Sequence, residues 1–135
     1  MEYKATELKT KTSGTSMIRP LILMGFIFIM SSIPMDGGDD NIAFLTDLDP
    51  GLQNFLHIPL YGLLAFLWML FFADKGSRPF IRAVIFSLAV TIGYGCLDEI
   101  HQSFVPGRYG GLLDILLNSV GAAAGVGIYH LGVRS

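Results

Sequence analysis

The chain has 135 residues, of which 52% are hydrophobic and only 15% are charged. A soluble domain carries about 25% charged residues, so this composition excludes an ordinary water-soluble protein and predicts an integral membrane protein. With a formal net charge of −2 and a mean hydropathy of +0.56, the chain offers no basic surface for nucleic acid, and its single cysteine cannot form an internal disulfide.

A polar N-terminal region, residues 1–17, precedes the first apolar segment, and we predict it to be a solvated cytoplasmic tail. The first apolar segment runs from Met17 to Met35 and is just long enough for a transmembrane helix, which needs roughly 20 residues. A cleaved signal peptide is the alternative for this segment, but its long polar lead and the lack of an A-x-A-like cleavage site favour a retained helix.

Three further apolar segments cover residues 58–73, 83–97 and 112–133. The first of these reaches back to Pro50 as a helix, because an aspartate followed by proline is typical of a helix start. Each segment is long enough, with its flanking turns, to cross a bilayer. We therefore predict that residues 18–135 form one all-α domain, an integral membrane four-helix bundle.

The distribution of lysine and arginine predicts the orientation of the bundle. If the chain crosses the membrane four times, every basic residue of the nine except Arg108 lies on the same side. Cytoplasmic loops of membrane proteins carry an excess of these residues. We therefore expect both termini to be cytoplasmic in a multi-pass protein of the inner, or cytoplasmic, membrane.

Polar side chains gather at the outward ends of the second, third and fourth helices in this topology. Residues three or four apart share one face of a helix, which brings several of these side chains onto the faces that meet. Ionisable groups in a bilayer cost at least ~2.5 kcal/mol each and normally face the bundle interior. Arg108 is the expected counter-charge of Asp114, with Asp98 and Glu99 as the competing carboxylates. The predicted ligand-binding residues are His57, Tyr61, Asp98, Glu99, Gln102, Arg108, Asp114 and Asn118.

The fourth helix also contains a pattern typical of close helix packing. Gly121-Ala-Ala-Ala-Gly125 matches the small-xxx-small spacing that lets two helix backbones approach each other in lipid. We expect this face to pack against another helix of the same chain, and contacts between subunits of a homo-oligomer are the alternative.

The order of the polar residues is distinctive. Residues 98–108 read Asp-Glu-Ile-His-Gln-Ser-Phe-Val-Pro-Gly-Arg, with Asp114 and Asn118 following. Together with the earlier His57-Ile-Pro-Leu-Tyr61-Gly sequence, they resemble the signature of the VanZ-like membrane protein family over about residues 54–125. The resemblance implies a small multi-span protein of the cell envelope that affects susceptibility to glycopeptide antibiotics of the teicoplanin type.

The polar residues allow three functional interpretations. A structural clamp would use them to fix helix register, whereas a binding site would hold a membrane lipid or a lipid-linked envelope precursor, with Arg108 contacting its phosphate. An enzyme or flippase acting on a lipid-linked phosphate is the alternative, with Glu99 and His57 as candidate catalytic residues. We favour binding or altered access over catalysis, because the sequence contains no serine elbow, nucleophilic cysteine motif or phosphate-binding glycine loop.

The sequence assigns no metal or cofactor. His57, Asp98, Glu99 and His101 have the chemistry of metal ligands. On a helix, however, His101 follows Asp98 by three residues and Glu99 by only two, so the four are not expected to converge.

Overall fold

The computed structural model describes residues 16–35, 50–74 and 79–133, with side chains in the second range described from Phe55 to Ala73. These ranges contain four helices, which are α1 (Ile18–Ser31), α2 (Pro50–Asp74), α3 (Phe80–Gln102) and α4 (Leu112–Gly132). Across the described ranges there is no β-strand, which confirms the predicted all-α four-helix fold. Most of the predicted tail, residues 1–15, lies outside the described residues.

Three of the helices, α2, α3 and α4, are long and apolar enough to cross a membrane. α1 is apolar but has only 14 residues, which at 1.5 Å per residue corresponds to about 21 Å against roughly 30 Å of bilayer hydrocarbon. It is shorter than the predicted segment because Ile33 precedes Pro34, and a residue before proline disfavours the helical conformation. The orientation of the termini stays a prediction.

α2 and α4 approach each other through glycine. A Cβ atom at Gly121 would overlap the backbone of Ile58, and one at Gly125 would overlap the backbone of Gly62. From the other side, a Cβ atom at Gly62 would lie 3.1 Å from the carbonyl oxygen of Gly121. The small-xxx-small face of α4 therefore packs against α2 within the chain.

The apolar end of the bundle is the end where α2 finishes and α3 begins. One side chain from each of the three long helices forms its core, namely Met69, Ala83 and Tyr129. On the side toward α1, Trp68 stacks on Phe72 with ring centroids 5.3 Å apart. The outward faces of the helices are apolar as well, as expected for surfaces that contact lipid.

The buried face of α3 changes from apolar to polar and then acidic along the helix. From Ala83 it continues through Ser87 and Thr91 to Gly95 and then reaches the acidic residues near the helix end. The Ser87 hydroxyl donates a 2.7 Å hydrogen bond to the Ala65 carbonyl of α2, so the first of these polar groups is satisfied inside the bundle. α3 thus delivers polar side chains to the bundle interior while its outward face stays apolar.

Candidate functional site

Most of the predicted binding residues meet at the end of the bundle opposite the apolar core. We call them the polar cluster, and its members are His57, Tyr61, Asp98, Glu99, Gln102, Asp114 and Asn118. All are buried except His57, whose side chain is 13% exposed. α2, α3 and α4 each contribute to the cluster, which is why residues far apart in the sequence share one site.

Asp98 accepts hydrogen bonds through only one of its carboxylate oxygens. Its Oδ2 atom accepts from the Tyr61 hydroxyl at 3.1 Å and from the Gln102 amide nitrogen at 3.0 Å. The same Gln102 nitrogen lies 3.2 Å from Ser31 Oγ, which ties α1 to the cluster. The other oxygen, Asp98 Oδ1, is buried and has no hydrogen-bond partner in the described part of the chain.

Glu99 is held by the loop between α3 and α4. Its Oε2 atom accepts a 3.1 Å hydrogen bond from the backbone N–H of Gly111. Its Oε1 atom lies 3.5 Å from Asn118 Nδ2 and 4.0 Å from His57 Nδ1. A side chain at Gly110 would overlap the Glu99 carbonyl group, so the loop can seat against α3 only with glycine there. Sequence reasoning did not identify Gly111 as a partner of Glu99, although the Gly110-Gly111 pair was a visible signal for a close backbone approach.

The cluster contains more acceptors than donors. The buried atoms without a hydrogen-bond partner include His57 Nδ1, Asp98 Oδ1, Asp114 Oδ1 and Asn118 Oδ1. Asp114 accepts no side-chain hydrogen bond from any described residue, although it is only 5% exposed. Buried polar groups are normally paired, so this excess of acceptors leaves room for hydrogen-bond donors or positive charge that the described residues do not supply.

Arg108 has a different partner from the one that its sequence position suggests. Its Nε and Nη2 atoms donate to the carbonyl oxygens of Ile33 at 3.1 Å and Met30 at 2.9 Å. Within the described part of the chain no ion pair joins it to a carboxylate, so the predicted pairing with Asp114 is wrong. The last carbonyls of a helix lack partners within that helix, and Arg108 satisfies those at the end of α1.

The guanidinium group nevertheless remains within electrostatic reach of the polar cluster. Burial lowers the pKa of Arg108, while the carboxylates of Asp98 and Glu99 oppose that shift. The loop path that directs the guanidinium toward α1 passes through Gly107, whose φ of 75° is readily available only to glycine. Arg108 therefore lies at the edge of the cluster as the nearest fixed cation among the described residues.

His101 lies outside the polar cluster. Its Nε2 atom lies 3.0 Å from Ser32 Oγ, and its ring stacks on Phe28 at 4.7 Å between centroids. The remaining candidate metal ligands behave differently, because His57, Asp98 and Glu99 each offer one ligand atom within 4.8 Å of the others. The structure thus separates one histidine from the group and brings the other three residues together.

The loop beside the cluster exposes large apolar and aromatic side chains. Phe104 is 81% exposed, Tyr109 is 91% exposed, and Leu112 at the start of α4 is 76% exposed. Aromatic side chains of this kind are enriched where a membrane protein meets the headgroup region. The polar cluster therefore lies directly beneath a surface suited to the membrane interface.

Comparison with known proteins gives one match. A family model described as VanZ/LLP1 matches residues 10–133, which is nearly the whole chain. The match includes all four helices and every residue of the polar cluster, and it confirms the resemblance found in the sequence. No curated protein and no solved structure matches the chain.

Proposed function

The chain belongs to the VanZ/LLP1 family of membrane proteins, and from its site we propose that it binds a lipid-linked component of the cell envelope at the polar cluster. Binding would change how accessible that component is at the membrane surface. The observation that carries this proposal is the set of buried polar atoms on His57, Asp98, Asp114 and Asn118 that have no hydrogen-bond partner among the described residues.

A purely structural clamp explains these atoms poorly. A clamp stabilises a bundle by satisfying its buried polar groups, and each buried group left unpaired costs about 1–3 kcal/mol. Asp98 and Asn118 each keep one oxygen without a partner, and the Asp114 side chain contributes no hydrogen bond to the described residues. A ligand that donates hydrogen bonds would compensate this cost.

The chemistry of the cluster restricts the class of ligand. A bare phosphate would be repelled by three neighbouring carboxylates, so the part inside the cluster must carry hydroxyl or amino donors. Arg108, which donates two hydrogen bonds to α1, has further guanidinium donors for an anionic group at the edge. A lipid-linked phosphate that bears a sugar or an amino group combines both features.

The surroundings fit an amphipathic ligand. Phe104 and Tyr109 are almost fully exposed beside the cluster and would contact lipid headgroups. The helix faces that lead away from the cluster are apolar, as shown by Leu97 and Leu116, which are 65% and 56% exposed. The lipid tail would lie along such a face, with its polar group directed inward.

An effect on glycopeptide susceptibility is the biological consequence that we propose. If the cluster faces outward, as the distribution of basic residues predicts, a bound envelope precursor would be partly shielded from a teicoplanin-type antibiotic. Expression in a susceptible bacterial host should then raise the inhibitory concentration of teicoplanin, and Asp114→Asn should abolish the increase. An unchanged inhibitory concentration at equal membrane expression would contradict this consequence while leaving ligand binding open to its own test.

One observation favours a second candidate function, chemistry on a lipid-linked phosphate. His57 Nδ1 and Glu99 Oε1 lie 4.0 Å apart, close enough for one water or substrate hydroxyl to bridge them as in general acid–base catalysis. Incubation of the purified protein with a polyprenyl phosphate sugar, followed by mass analysis of the products, distinguishes binding from turnover. Product formation that Glu99→Gln abolishes would favour the enzyme.

Native mass spectrometry of the purified full-length protein tests binding itself. We expect a copurifying envelope lipid on the wild type and its loss in Arg108→Ala, since Arg108 borders the cluster. Arg82→Ala is the matched control, because Arg82 is exposed at the start of α3. Equal lipid occupancy in all three proteins, or no bound lipid in any of them, would overturn the proposal.

A further inference from the structure

Three side chains of the polar cluster are arranged as a group of metal ligands. His57 comes from α2, and Asp98 and Glu99 are neighbours near the end of α3. One nitrogen or oxygen atom from each lies within 4.8 Å of the other two. Ligand atoms bound to one tetrahedral ion lie roughly 3.4 Å apart, given bond lengths near 2.1 Å. Closing the group by up to about 1.4 Å falls within the reach of side-chain torsions.

The hydrogen bonds within the cluster leave the required atoms available. Asp98 is 3% exposed, and its Oδ1 atom has no partner while Oδ2 is held by Tyr61 and Gln102. His57 Nδ1 is likewise buried and unpartnered. These hydrogen bonds orient the Asp98 carboxylate as the outer partners of metal ligands do.

The charge of the cluster also favours a cation. Asp98, Glu99 and Asp114 place three carboxyl groups in one buried region, and the nearest fixed cation, Arg108, donates its hydrogen bonds to α1 instead. A doubly charged ion would balance charges that the described residues leave unbalanced.

We propose that His57, Asp98 and Glu99 bind a divalent first-row metal ion, with Zn²⁺ or Mn²⁺ as the chemical type. One imidazole and two carboxylates suit these ions, whereas a site made only of oxygen ligands would favour Mg²⁺ or Ca²⁺. Asp114 and Asn118 belong to the same cluster, and each keeps a buried side-chain oxygen without a hydrogen-bond partner among the described residues. The proposal does not depend on the envelope ligand, because all its ligand atoms belong to the chain.

Titration of the delipidated full-length protein with Co²⁺ tests the metal site. After treatment with EDTA, we expect one Co²⁺ per chain, visible absorption bands typical of nitrogen and oxygen ligation, and displacement of Co²⁺ by Zn²⁺. His57→Ala should weaken Co²⁺ binding by at least about tenfold. His101→Ala is the matched control, because this histidine of the same helix contacts Phe28 and Ser32 outside the cluster and should leave the titration unchanged.

Glu99→Gln is a second variant that tests the metal site if His57→Ala fails to fold. The glutamine has the same shape and can still accept the hydrogen bond from Gly111 N–H, so its thermal unfolding in detergent checks the fold. We expect the same loss of Co²⁺ affinity in this variant at an unchanged melting temperature. Absence of saturable Co²⁺ absorption in the wild type, or equal weakening by His57→Ala and His101→Ala, would overturn the proposal. Because lipid is removed first, neither result bears on envelope-lipid binding.

Discussion

The two ends of the bundle formed by α2, α3 and α4 are built differently. At the apolar end, Met69 and Ala83 are fully buried and Tyr129 is 8% exposed, so the three helices meet through close packing. At the other end the same helices bury Asp98 and Asn118, and each of them keeps an oxygen without a partner. Stability is concentrated at one end, whereas the other retains polar groups that reduce stability unless something binds them.

The glycine contact between α2 and α4 should give the largest effect on stability. Gly125→Ala places a methyl group against the Gly62 backbone, and such overpacking should lower the free energy of unfolding by about 1–3 kcal/mol. Reversible unfolding in mixed detergent micelles measures this change. Gly127→Ala on the same helix is the control, since a Cβ atom there has no neighbour within 4 Å. Similar losses in both variants would show that close approach is not what stabilises this pair.

Removal of the Tyr61 hydroxyl should have the next largest effect. Tyr61→Phe leaves Asp98 Oδ2 with the Gln102 amide as its hydrogen-bond partner. We expect the free energy of unfolding to fall by about 1.5 kcal/mol, the lower end of the range for hydrogen bonds to charged groups. Tyr109→Phe is the control because this side chain is 91% exposed. If Tyr61→Phe unfolds like the wild type, the polar end contributes less to stability than this comparison assumes.

A smaller loss of stability is expected from removing a hydrogen bond between the two ends of the bundle. Ser87→Ala removes the 2.7 Å hydrogen bond to the Ala65 carbonyl, and bonds of this kind between membrane helices contribute about 0.6 kcal/mol on average. Lipid occupancy by native mass spectrometry should not change, because Ser87 lies outside the polar cluster. Loss of bound lipid in Ser87→Ala would mean that the site extends further along α3 than the cluster.

Several helix boundaries could be predicted from the apolar segments together with the helix-start signal at Asp49-Pro50. The prediction that the second helix reaches back to Pro50 agrees with α2, and the fourth segment, 112–133, agrees with α4 to within one residue. The predicted end of the first helix is wrong, because the apolar segment continues to Met35, whereas the helix ends at Ser31. An apolar composition does not show that Pro34 disfavours the helical conformation at Ile33. Nor does it show that Arg108 donates hydrogen bonds to the carbonyl oxygens of Met30, in the last turn of α1, and of Ile33 just after it.

The members of the polar cluster could be predicted where they follow helix periodicity. The contacts that depend on the path of a loop could not be predicted. Spacings of three and four residues placed Asp98 with Gln102 and Asp114 with Asn118. The partner of Arg108 depends on the path of the loop after Gly107, and that path has no periodicity to read. For the same reason the backbone N–H of Gly111 was not recognised as a partner of Glu99.

Asp114→Asn separates a binding site from a structural clamp more directly than any other change. The Asp114 side chain accepts no hydrogen bond from the described residues, so an isosteric amide removes its charge and keeps its shape. Two quantities decide the question when measured on one preparation, the dissociation constant for a polyprenyl phosphate sugar and the melting temperature in detergent.

If the cluster is a binding site, the dissociation constant should rise at least about tenfold, equivalent to 1.4 kcal/mol, while the melting temperature stays the same or increases. A lower melting temperature with an unchanged dissociation constant would contradict the account and identify the cluster as a clamp. Leu116→Met on the exposed face of α4 provides the matched control, and both of its values should equal those of the wild type.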